Sequence, residues 1–179
     1  MIKTIIIIDG SNFYFKLKSL GIKHQLNFNY SQFVDFLIGN KQLVNSTYYI
    51  GKVRTDKTVE SQKLHKNQQR LLAHLKKHSI QYKLGYLLRN NSKYHEKGVD
   101  VHIAVDILVA TYEKLCDKII LVSSDTDLAP AIKKAQEKGK IIEYVGFSHK
   151  PSVAMVRFCK ESRLLTKNDL LPFINKQTK

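Results

Sequence analysis

The chain has 179 residues, 43% hydrophobic and 25% charged, enough to fill one sizeable core, and this length fits a single domain over residues 1–179. No stretch approaches the roughly 20 apolar residues that span a bilayer, and the N-terminal apolar run is broken too soon, by Asp9, to be a signal segment, so no membrane partner and a cytoplasmic location are expected. The net charge of +15 points to a polyanion, nucleic acid before anionic membrane or plain solubility, because excess Lys and Arg bind phosphates through counterion release.

The first predicted element is the run Ile5 to Ile8, four β-branched residues that suit a strand buried on both faces. It ends in Asp9-Gly10-Ser11-Asn12, a turn into a helix, and so delivers a carboxylate to the strand's C-terminal tip. In parallel α/β sheets that is the edge where ligands bind. A helix is predicted over Phe13 to Leu20, ended by Gly21, and a second over Ser31 to Ile38, capped by Ser31. Ser46 to Val53 reads as a strand. Thr58 to His78 reads as a long basic helix with Leu64, Leu71, Leu72 and Leu75 inward.

Ile80 to Leu88 is a third predicted strand, followed by a polar connection, Arg89 to Lys93. Gly98 to Leu115 is a helix with Val99, Ile103, Ile107, Leu108 and Val109 largely buried. Lys118 to Ser123 is a fourth strand, Asp127 to Lys138 a helix ended by Gly139, and Lys140 to Phe147 a fifth strand. A helix from Ser152 to about Ser162 and a short strand or helical turn within Arg163 to Ile174 close the chain. Strands alternating with helices imply right-handed crossovers and a parallel sheet. Strands one and four then sit side by side at the topological switch point. Cys116 and Cys159 form no CxxC and no cluster with His, which fits reduced, packed thiols.

The charge is uneven. From Lys52 to Lys97 there are twelve Lys/Arg against three Asp/Glu, and from Gly98 to Asp127 two against six. An acidic patch inside a basic protein repels phosphate unless metal ions bridge the two. Asp9 and the Asp125 and Asp127 of SSDTD fall at the two central strand tips, and Asp100 sits in the first turn of the helix leading into strand four. Each of these has the ordinary reading of a helix or turn cap; their convergence carries the functional one. Asp106 shares a helical stripe with Val99, Ile103 and Ala110, so it is either paired with a basic residue or faces a metal or polar cleft. Mg²⁺ suits such a set, since it takes a few carboxylate oxygens plus waters and phosphates.

Other chemistries lack their motifs. There is no GxxxxGK[ST] or GxGxxG, no GxSxG or Cys-His pair, and no His/Cys set for zinc. The residue two positions beyond Asp9 is Ser11, which removes the second acidic group of a phosphoaspartate mechanism.

The segments IIIIDGSN, KGVDVHIAVD (Lys97 to Asp106) and SSDTDLAP (Ser123 to Pro130), in this order and with strands before the first and third, resemble the NYN domain of the PIN-like nuclease superfamily, in its LabA-like branch. The resemblance runs from about Ile2 to Phe147, leaving 148–179 as a C-terminal helix and tail. It implies a PIN-like, Rossmann-like three-layer α/β/α sandwich with a central, mostly parallel five-stranded sheet. By similarity, Asp9, Asp100 and Asp125 would be metal ligands, with Asp127, Asn12 and Asp106 at the remaining family positions. The implied activity is that of a ribonuclease dependent on Mg²⁺ or Mn²⁺.

Lys52, Arg54, Lys63, Lys66, Arg70, Arg89, Lys93 and Lys97 are the candidates for steering an RNA backbone, single-stranded because a flexible strand reaches a recessed cluster more easily. Tyr48, Tyr49, Tyr86 and Tyr94 are candidates for stacking bases or for core and rim positions. The alternatives are a nucleic-acid-binding or regulatory module without turnover and an interaction protein whose charge serves solubility. The sequence leaves the oligomeric state open, a homodimer included.

Overall fold

The structure, a computed structural model, describes residues 1–22, 25–53, 55, 58–90 and 93–174, without the side chains of 25, 87–90 and 93–96. In chain order the main elements are β1 (Lys3–Asp9), α1 (Gly10–Ser19), α2 (Tyr30–Ile38), β2 (Gln42–Lys52), α3 (Val59–Lys77), β3 (Gln81–Asn90), β4 (Lys93–Lys97), α4 (Val99–Tyr112), β5 (Lys118–Val122), α5 (Ala129–Glu137), β6 (Ile141–Phe147), α6 (Val153–Phe158), β7 (Glu161–Leu165) and α7 (Lys167–Leu170). The strands form one sheet in the order β4-β3-β2-β1-β5-β6-β7. Six are parallel, and β4 runs antiparallel to β3. The mostly parallel α/β architecture is the one expected, with seven strands in place of five.

Both added strands lie at the sheet's edges, where half-buried or exposed polar sequence suffices. β4 is KYHEK and β7 is ESRLL, neither of which carries the apolar run that marks a central strand. The stretch expected as a connection, Arg89 to Lys93, contributes Arg89 and Asn90 to β3 and Lys93 to β4. Two helix starts also shift upstream. Asp9 caps α1, which therefore begins at Gly10, and Asn29 rather than Ser31 caps α2, accepting from the Gln32 N–H at 3.1 Å.

β1 pairs with β2 on one side and β5 on the other, so all of Ile5 to Ile8 is buried, two side chains facing each layer. Ile6 and Ile8 pack with α1, α2 and α3 on an aromatic cluster in which Phe13, Phe28 and Phe33 have ring centroids 5.3–5.4 Å apart. Each such buried ring contributes about 3 kcal/mol. Ile5 and Ile7 face the layer of α4, α5 and α6.

At the N-terminal end of β5, Lys118 is 4% exposed and lies 2.6 Å from both Glu143 and Glu161, while Arg163 holds the other oxygen of Glu143 at 2.6 Å. Burial by itself lowers the Lys118 ammonium, but the bonds to the two glutamates outweigh it and raise its pKa above the usual lysine value. Glu161 is thus part of an ion network tying β5, β6 and β7 together at the end of the sheet opposite the Asp9 tip.

Cys116 and Cys159 are free and buried. Burial raises both thiols, Cys159 up to about 12, so neither offers a thiolate near neutrality. Iodoacetamide at pH 8 is expected to label neither in the native protein and both in denaturant; rapid native labelling, read by mass spectrometry, would show that the packing around them is wrong.

Candidate metal centre

The sheet order turns between β1 and β5, and the tips of those two strands bring the chemistry together. Asp9 ends β1 and is 8% exposed. One carboxylate oxygen accepts the Asn12 N–H at 3.0 Å, capping α1, and the other accepts the Ser123 hydroxyl at 2.8 Å. The same Ser123 oxygen accepts the Asp125 N–H at 3.1 Å, and Asp125 Oδ1 accepts the Asp127 N–H at 3.0 Å. A continuous chain of bonds therefore runs from Asp9 through Ser123 to Asp125 and Asp127.

α4 brings the third partner. Gly98 enters it in the left-handed region, at φ +79°, where a side chain would be strained, and the next turn presents Asp100. Asp100, Asp125 and Asp127 each offer an oxygen, and these oxygens lie within 4.8 Å of one another. Asp100 and Asp125 are half-buried and Asp127 is exposed. Among the described residues none of the three is in an ion pair. Their mutual repulsion is on the order of 1 kcal/mol per pair even at the dielectric of water. A hard divalent cation relieves it, and an all-oxygen donor set with no His or Cys in the group suits Mg²⁺ or Mn²⁺.

Asp106 is elsewhere. Two turns along α4 from Asp100, its carboxylate accepts from Lys83 Nζ at 2.6 and 2.8 Å and from the Tyr49 hydroxyl. Of the two readings open for it, pairing with a basic residue holds. Burial first, and then the bond to Asp106, keeps the Tyr49 hydroxyl well above the usual tyrosine range. Asn12 reaches Asp9 through its backbone N–H, with its side chain half-buried at the start of α1.

Of the candidate cations, Lys52 ends β2 opposite Tyr86 of β3, and Tyr86 faces Lys97 of β4, so both lysines lie at the edge that carries the acidic group. Lys63, Lys66 and Arg70 are exposed on α3, progressively farther from that edge. Arg54 lies outside the described residues, and Arg89 and Lys93 fall on β3 and β4 with their side chains outside the description. Tyr48 and Tyr49 are 0% and 2% exposed and belong to the core, while Tyr86 is 55% exposed.

Ser123 and Tyr144 escaped the sequence reading as site residues. The Tyr144 hydroxyl meets Ser124 Oγ at 3.0 Å and accepts the Ser152 N–H at 3.1 Å, tying the start of α6 to the SSDTD turn. The pairing of two serines with SSDTD was visible; nothing in the local sequence marked Tyr144, whose ring reaches the site from β6.

A family model described as NYN domain matches residues 3–165, through β7 and past the Phe147 boundary. Two solved structures share the fold. A crystal structure of a protein of unknown function from Vibrio parahaemolyticus has 21% identity and a TM-score of 0.64, with 94% of each chain covered. A structure of T5 5'-exonuclease with divalent metal ions (zinc) bound has 14% identity and a TM-score of 0.51, covering 86% of this chain and 60% of that one. No curated protein matches the sequence. The fold is PIN-like, and among the described residues no helix is long and apolar enough to cross a membrane.

Proposed function

We propose, from the premise that the chain belongs to the NYN domain family, that it is a ribonuclease hydrolysing single-stranded RNA at a divalent-metal centre held by Asp100, Asp125 and Asp127. The observation that carries this is the approach of three carboxylates, none in an ion pair among the described residues, to within 4.8 Å at the switch point of the sheet. A bound Mg²⁺ or Mn²⁺ would supply Lewis acidity toward the phosphate and a more acidic attacking water. Asp9, two hydrogen bonds behind Asp125 through Ser123, fixes the SSDTD turn against β1 and completes the acidic wall. Asn12, at the start of α1 beside Asp9, would orient a water or substrate group. Lys52 and Lys97 on the same edge draw in the phosphate backbone.

The test is incubation of the purified protein with end-labelled single-stranded RNA under Mg²⁺, under Mn²⁺ and under EDTA. Cleavage with the cations and none with EDTA is expected. Cleavage that persists in EDTA overturns the metal mechanism, and salt-dependent binding without cleavage in either cation replaces it with a binding module.

A further inference from the structure

α1 does more than present Asn12. Its buried residues are Gly10, Phe13 and Leu17, and the opposite face carries Asn12, Phe15, Lys16 and Ser19 at successive helical turns. From Asn12 to Ser19 this face runs roughly 10 Å along the helix axis. Phe15 is 63% exposed, although a phenyl ring on a helix that packs Phe13 and Leu17 gains by burial. Tyr14 lies edge-on to it at 5.3 Å, and Lys18 Nζ sits 5.9 Å from the Tyr14 ring centroid.

The loop after β6 closes against the far end of the same face. Lys16 Nζ donates to the Lys150 carbonyl at 2.6 Å. Ser19 Oγ donates to the Lys16 carbonyl at 2.7 Å and so accepts from His149 Nε2, 2.6 Å away. Lys16, His149 and Lys150 are thereby gathered together, and among the described residues none of them pairs with a carboxylate. Burial, and then Lys150, lowers the pKa of Lys16; burial, and then Lys16 and Lys150, lowers that of His149, so the imidazole is neutral near pH 7 and the positive charge rests on the two lysines. Two residues beyond Lys150, Ser152 bonds to Tyr144, whose hydroxyl touches Ser124 beside Asp125. The loop that carries His149 and Lys150 is thus tied, through the buried Tyr144, to the turn that carries Asp125, while Asn12 at the other end of the α1 face lies beside Asp9.

We infer that this face of α1 and the loop 148–152 form a track for a single strand leading to the metal centre, on which Phe15 stacks a base and Lys16 and Lys150, positioned with the help of Ser19 and His149, hold the adjoining phosphate. The inference rests on the nuclease reading above and names where its substrate lies. A single strand is required because only an unpaired base has a face free for Phe15. The missing counter-ion is then supplied by the phosphate.

The experiment is fluorescence anisotropy with labelled oligouridylate, oligothymidylate and an RNA duplex, in EDTA so that nothing is cleaved. The proteins are wild type, Phe15→Ala, Lys150→Glu and, as a control on the opposite edge of the sheet, Lys41→Glu. Phe15→Ala is expected to weaken single-strand binding about tenfold and duplex binding less than twofold. Lys150→Glu is expected to weaken both and to flatten the salt dependence, with Lys41→Glu near wild type. The same losses with oligothymidylate extend the track to DNA, and losses confined to oligouridylate assign it to RNA. Phe15 and Lys150 are exposed, so unchanged melting temperatures separate binding loss from misfolding. Single-strand affinity unchanged in both variants overturns the track, and if wild type still cleaves RNA with Mg²⁺ or Mn²⁺ the metal centre stands without it. A wild type that neither binds nor cleaves removes both.

Discussion

Asp125→Asn is expected to slow RNA cleavage by about 10³-fold while moving the melting temperature by no more than a few degrees. The two effects separate because of what Asp125 does locally. Its Oδ1 accepts the Asp127 N–H, which an asparagine carbonyl can also do, and its backbone N–H bonds Ser123, which the substitution does not touch. The turn therefore keeps its shape. What is lost is the charge on one of three carboxylates gathered within 4.8 Å. A cation that stabilises charge in the transition state contributes several kcal/mol, and each 1.36 kcal/mol is tenfold in rate, so a cation held poorly costs about 10³.

Asp106→Asn provides the contrast. Its carboxylate already has Lys83 and Tyr49 as partners, and cleavage is expected to stay within about threefold of wild type. Single-turnover cleavage of labelled single-stranded RNA distinguishes the two substitutions. Equal losses would mean that Asp106 joins the centre, and an unaffected Asp125→Asn would remove the metal site from its proposed place.

The second large effect is expected from Gly10→Ala, through stability. A Cβ built at Gly10 would lie 2.2 Å from Tyr48 Cε1 and 2.6 Å from the Tyr49 carbonyl oxygen. Neither neighbour can yield cheaply. Tyr48 is fully buried, its hydroxyl donates to the Gly10 carbonyl at 3.1 Å and its ring packs at 90° to Tyr30. The Tyr49 oxygen belongs to the backbone of β2. The start of α1 must therefore lift from the sheet, and the cap on Asp9 moves with it. Overpacking of this kind costs about 3 kcal/mol, a fall of roughly 6 to 12 °C in melting temperature at this chain length. Cleavage measured well below the transition is expected to fall as well, because Asp9 anchors Ser123 and through it Asp125. A melting curve superimposable on wild type would show that the contact between α1 and β2 is looser than described.

The central part of this fold was legible residue by residue. Ile5 to Ile8 and Lys118 to Val122 are short apolar runs bounded by polar turns, and such runs occur where a strand is covered on both faces. Their placement side by side followed from the alternation of strands and helices, and with it the arrival of Asp9 and Asp125 at neighbouring tips. The edges were less legible, because β4 and β7 are polar edge strands that carry no pattern separating them from loops. Leu64 and Val109, expected inside, are each 38% exposed, since helical periodicity gives an apolar face but not how far the neighbouring layer extends over it.

The sequence by itself thus determined which carboxylates stand at the C-terminal edge, because a buried strand followed by a polar turn ends at that edge wherever it lies in the sheet. Only the tertiary structure decided their company. Asp106 was answered by Lys83, 23 residues away on β3; Asp9 was linked to Asp125 by Ser123, 114 residues away; and Lys16 met His149 and Lys150 across the gap between α1 and the end of β6. Such partners are chosen by strand order and register, and charge, unlike hydrophobic burial, takes its meaning from the group opposite rather than from its neighbours along the chain.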